Sequence, residues 1–123
     1  MKYMILIYHN PNSREIWESF SDAQRAEGLA AYAALHESLA ASGELIAAEA
    51  LEDPSEGKRV ILQDGKAMAS DGPFAEAKEH LAGFYLVECE SIERAVEIAG
   101  QIPEASEGML EVRPILTYSG LEM

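Results

Sequence analysis

Residues 70–88 read SDGPFAEAKEHLAGFYLVE, a turn that runs into a strand. The turn half, Asp71-Gly72-Pro73-Phe74, combines a side chain that bonds neighbouring amides, a permissive glycine and a proline that fixes φ. The strand half, continued as GFYLVECE over 83–90, is apolar at alternate and intervening positions alike, so both of its faces are hydrophobic. A second stretch has the same character: YMILIY at 3–8 is rich in β-formers and apolar on both faces. Two such segments are the central strands of a sheet.

The remaining elements arrange themselves around these two. His-Asn-Pro-Asn-Ser at 9–13 breaks the first strand with turn chemistry. Ser21 or Asp22 can cap a helix that runs to about Ser42, with Gly43 where a left-handed cap is needed. At 100° per residue, Leu29, Tyr32, Ala33, His36 and Ala40 share a stripe, which places His36 on the inward face. ELIAAEAL at 44–51 is a strand, because Gly43 precedes it and Pro54 follows it. KRVILQ at 58–63 and KAMAS at 66–70 form a hairpin around Asp64-Gly65. Ser91 caps a second helix over 91–101, and GMLEVRPILTY at 108–118 is the last strand.

The resulting order, β-α-β-β-β-α-β with an internal hairpin, predicts an α+β chain. Its form is a ferredoxin-like antiparallel sheet with two helices on one face, and a single domain spans 1–123. Helices on one face leave the other apolar face uncovered, and a second copy of the chain is the economical cover. A homodimer is therefore expected.

Composition narrows the function. The chain has 123 residues, 48% of them hydrophobic, and a net charge of −13. Such a field repels phosphate backbones and anionic lipid, which argues against nucleic-acid and membrane-surface roles. No segment approaches the roughly 20 apolar residues of a membrane span, and a cytoplasmic location is expected by default. Cys89 is the single cysteine, so neither an internal disulfide nor a cysteine-based zinc site can form. Walker, GxGxxG, GxSxG and HExxH patterns are absent, and three scattered histidines make no case for a metal. No cofactor is expected.

The stretch DGPFAEAKEHLAGFYLVEC, with AAYAALHESLAASGEL, LQDGKAMASDGPFAEAKE and EVRPI, resembles the YCII-related proteins, in their DGPF branch, over nearly the whole chain. The resemblance implies a ferredoxin-like fold paired as a dimeric α+β barrel. It also implies a histidine–aspartate pair as acid and base, on a scaffold that related enzymes use for elimination chemistry. Tyr32 stands where that pattern has its histidine, and His36 follows one turn later on the same face. Asp71 and His36 are thus the candidate catalytic pair, for lyase- or isomerase-like proton transfer on a small molecule. Asp71 can equally be a structural turn residue. Tyr32, His80 and Arg113 are candidate ligand-binding residues. Arg113 is either a clamp for an anionic ligand or half of a Glu–Arg ion pair on the strand face that it shares with Glu111. Glu76, Lys78 and Glu79 read as a solvated face. The alternative function is a non-enzymatic ligand-binding or regulatory module, in line with the sigma-factor-linked stress context that the resemblance suggests.

Overall fold

A computed structural model describes residues 1–74 and 78–117. Glu76 and the end of the last expected strand at Tyr118 lie outside these residues. The elements are β1 (Lys2–His9), α1 (Pro11–Ser19), α2 (Asp22–Ser42), β2 (Leu45–Ala50), β3 (Lys58–Gln63), β4 (Lys66–Asp71), β5 (His80–Glu88), α3 (Ile92–Ala99) and β6 (Leu110–Pro114). Short 3-10 turns occupy Pro54–Glu56 and Pro103–Glu107. Four strands form one antiparallel sheet in the order β2-β5-β1-β6, and β3 and β4 pair as a separate hairpin. This is the ferredoxin-like α+β fold, with β1 and β5 in the centre.

The pleat explains the two apolar faces. On one face of the central strands, Tyr3, Ile5 and Ile7 meet Tyr85, Val87 and Cys89, all buried. Leu35 and Leu39 of α2, with Ala95, Ile98 and Ala99 of α3, cover them. Burying a side chain such as Ile5 or Val87 completely contributes roughly 1.5–3 kcal/mol each. The other face carries Met4, Leu6, Tyr8, Phe84 and Leu86, all partly exposed.

Local chemistry accounts for the helix ends. Ser21 and Gln24 form a capping box at the start of α2, and Gly43 closes the helix at φ 78°. Ser91 caps α3 through the amide of Arg94. The Arg94 guanidinium grips Glu44 with two bonds of 2.9 and 2.8 Å, tying α3 to the entry of β2. That grip holds the Glu44 carboxyl down at about 2. The hairpin turn is as its residues demand, with Asp64 and Gly65 at φ 51° and 77°.

Three expectations need correction. His-Asn-Pro-Asn-Ser does not simply break the chain: it starts α1, a helix absent from the sequence reading. Asn10 is its cap, Pro11 sits where a missing amide costs nothing, and Ser13 returns a bond to the Asn10 amide. The buried row of α2 is Leu35 and Leu39, with Tyr32 half-buried, whereas Leu29 and His36 are exposed. Only one row of this helix meets the sheet, and the neighbouring row overhangs open space.

The third correction concerns the DGPF turn. The Asp71 side chain is 84% exposed and ion-paired with Lys58, its antiparallel partner in the hairpin. Phe74 is exposed too, stacked beneath the Arg59 guanidinium rather than inserted in the core. Among the described residues, the hairpin forms no ladder with the main sheet.

The packing makes a stability prediction. Ile5→Ala removes a fully buried side chain from the central strand and should lower the unfolding free energy by about 2–5 kcal/mol. Val96→Ala, on the exposed side of α3, should change it by less than about 0.5 kcal/mol. Urea unfolding followed by circular dichroism measures both.

Candidate functional site

Between α2 and the helix-covered face of the sheet lies a cleft of about 490 Å³. Its floor is built from small residues of β2 and β5, Ala48, Ala50, Ala82 and Gly83, and Trp17 and Leu29 form its rim. Gly83 is required by close approach: a Cβ there would stand 2.8 Å from the Glu49 carbonyl oxygen. Small side chains on the two strands leave the volume that larger ones would fill.

Glu49 borders the cleft from a β2 position opposite outward-facing Phe84, and five other polar side chains line it in two sets. In the first, His36 of α2 reaches across to Tyr85 of β5, with Nε2 2.6 Å from the phenol oxygen and the rings edge to face. Tyr85 is buried, and that burial, reinforced by the Glu104 charge, pushes its pKa up to about 12. It therefore stays a protonated phenol at neutral pH. In the second set, Glu104 is the hub. The Tyr32 hydroxyl donates to its Oε1, and its Oε2 lies 3.1 Å from His9 Nε2. Burial pushes the Glu104 carboxyl upward, but the bonds from His9 and Tyr32 outweigh it, and its pKa falls below the ordinary value. The same carboxylate raises His9 against the opposing effect of burial. Burial and the Glu104 bond both raise Tyr32.

A second cleft of about 720 Å³ adjoins the first, sharing His9, Trp17, Leu51 and Ala82 with it. His80 lines this second space, directly across the β1–β5 ladder from His9. Arg14 also lines it, already paired with Glu18 and Asp53.

Of the residues singled out in the sequence, the structure brings Tyr32 and His36 together on one cleft and puts His80 in the adjoining one. It separates the other two. Asp71 sits on the hairpin and does not line the cleft, so within one chain it does not pair with His36. Arg113 lies opposite Met4, on the sheet face away from the cleft. Glu111, its expected partner, instead accepts a 3.1 Å bond from the Tyr8 hydroxyl. Sequence reasoning missed Tyr85, Glu104 and His9. Tyr85 looked like core, and Glu104 follows Pro103 in a polar connection without periodicity. Among the described residues, no three His, Cys, Asp or Glu side chains are placed to hold a metal ion, and no helix is long and apolar enough to cross a membrane.

The family model of the YCII-related domain matches residues 1–119. The chain is also 30% identical, over 125 residues, to a protein of Rhizobium meliloti (strain 1021) described as uncharacterized. That alignment covers 100% of this chain and 98% of the relative.

The Glu104 hub has a pH signature. Because His9 is raised, its contribution to stability is fully present below the ordinary histidine pKa of about 6.5 and is lost as pH rises through the raised value. Because Glu104 is lowered, its contribution is present above the ordinary glutamate value and is lost as pH falls through the lowered one. The bridge is strongest between the two. Glu104→Gln should move the His9 titration, followed by NMR, back down; an unmoved His9 would show that the carboxylate does not govern it.

Proposed function

Given that this chain belongs to the YCII-related family, we propose that it is an acid/base enzyme of the lyase or isomerase kind, acting on a small molecule in the cleft between α2 and the sheet. The observation that carries this reading is the 2.6 Å contact between His36 Nε2 and the Tyr85 hydroxyl on the wall of that cleft. Imidazole is both acid and base under physiological conditions, and a phenol held protonated at its side fixes its orientation and supplies a donor. His36 takes a proton from carbon next to an electron-withdrawing group. The same imidazolium then returns the proton to a different atom, or to a departing group. The cleft volume falls within the roughly 300–1,000 Å³ of small-molecule sites. The His36–Tyr85 pair is bonded side chain to side chain at one ring nitrogen, which leaves the other nitrogen for a reacting group.

The assembly belongs to the same proposal. The outer sheet face presents Met4, Leu6, Phe84 and Leu86, and the hairpin exposes Val60, Ile61 and Leu62 in succession. Exposed apolar surface of this extent calls for a cover, and a second copy supplies one. Asp71 enters the chemistry only through such assembly, if a partner's hairpin carries it to the cleft.

Two experiments test these readings. In deuterium oxide, the wild-type chain should exchange the activated C–H of some members of a panel of small lactones, enones and ketones. His36→Gln should lose that exchange by a factor of at least about 100 while remaining folded. No exchange by the wild type, or equal exchange by the variant, rejects the enzyme in favour of a non-catalytic ligand-binding module. Light scattering should give twice the chain mass at micromolar concentration, and Leu62→Asp should halve it; a wild-type monomer rejects the dimer.

A further inference from the structure

Resting on that reading of the cleft, we infer that its ligand is a neutral, mainly apolar molecule presenting a single oxygen acceptor, and not an anion. Among the described residues, neither lysine nor arginine lines the cleft. The cations around it are engaged elsewhere. Arg25 lies over the Trp17 ring and bonds the carbonyl oxygens of Trp17 and Glu18. Arg14 is held by Glu18 and Asp53. Arg113 is on the far face of the sheet. An anion entering this space would meet the ionised Glu104 in a chain of net charge −13, with no countercharge of its own.

A cation fares little better. Both Glu104 oxygens are already bonded, one by Tyr32 and one by His9, which leaves neither for a cation. What remains is a largely aliphatic and aromatic wall of Ile7, Trp17, Leu29, Ala48, Ala50 and Leu51. That wall suits a neutral apolar body.

The donor count specifies the polar end. The neutral His36–Tyr85 pair holds two exchangeable protons, and the bond between the rings uses one. In either tautomer, one N–H or O–H stays free. Tyr32 contributes none, because its proton is committed to Glu104. The His36–Tyr85 pair therefore offers a single donor, matched by a carbonyl, ether or hydroxyl oxygen.

Three probes of one shape separate the possibilities: phenylethanol, phenylacetate and phenylethylammonium. Trp17, the single tryptophan, reports binding by its emission, and the amide resonance of Gly83 locates it. Phenylethanol should bind at least about ten-fold tighter than either ion. Leu29→Glu places a charge at an exposed rim position and should weaken phenylethanol several-fold. Tighter binding of phenylacetate or of phenylethylammonium, absence of phenylethanol binding, or indifference to Leu29→Glu overturns the inference. Deuterium exchange by the wild type distinguishes this failure from that of the reaction. If the neutral probe binds best to the wild type but no deuterium exchange occurs, the ligand class stands and the catalysis falls. If exchange proceeds while an ion binds best, the reverse holds.

Discussion

The register of β1 against β5 is the constraint on which the rest of the molecule depends. With Ile5 opposite Tyr85 and Tyr3 opposite Val87, one face of both strands fills the core, and the alternate residues face outward. A slip by one residue would exchange the faces and remove Tyr85 from reach of His36. The ladder shifts between Ile7 and Tyr8, leaving Ala82 unpaired with β1, and past that bulge His9 faces His80. Ala82 lines both clefts, so the irregularity in pairing lies where the two spaces meet. The antiparallel partner of β5 on its other side, β2, approaches closely enough that only glycine fits at 83. The cleft is a product of this arrangement: four small residues on paired strands, roofed by the overhanging row of α2.

That architecture was legible in the sequence because it rests on local and periodic signals. The two-faced strands, the Gly43 cap, the Asp-Gly turn and the Ser91 cap each act through a physical preference confined to a few residues, and each stands in the structure as read. The missed helix α1 also had its signal, Asn-Pro with Ser13 at the reciprocal capping position, but the same residues serve a turn equally well. Helix periodicity placed the inward stripe of α2 one row away from the true one. A stripe on a helix that covers only the margin of a sheet is set by where the sheet ends, and that is a tertiary fact. Asp71 failed for a similar reason. Gly72 takes the positive φ of 77° that its turn suggests, but whether a hairpin folds onto the sheet or stands apart depends on contacts that no local pattern encodes. Glu104 was invisible because its significance lies in meeting β1 and α2 at once, through residues 95 and 72 positions away.

The two polar sets on the cleft differ in how much freedom they keep, and the proposed chemistry falls to the freer one. Glu104 has both oxygens bonded by side chains from β1 and α2, so it joins the turn after α3 to the sheet and to the long helix. Taking a proton would require it to surrender one of those bonds, in a place where an unpaired buried group costs about 1–3 kcal/mol. Tyr32 is tied to the same carboxylate. This set therefore fixes geometry and local charge. His36 is constrained at one nitrogen only, by a phenol, while its ring stays exposed on the overhanging row of α2. A group oriented on one side and open on the other can change its protonation without dismantling the fold. In the proposed reaction, the rigid set fixes the geometry and the imidazole open on one side moves the proton.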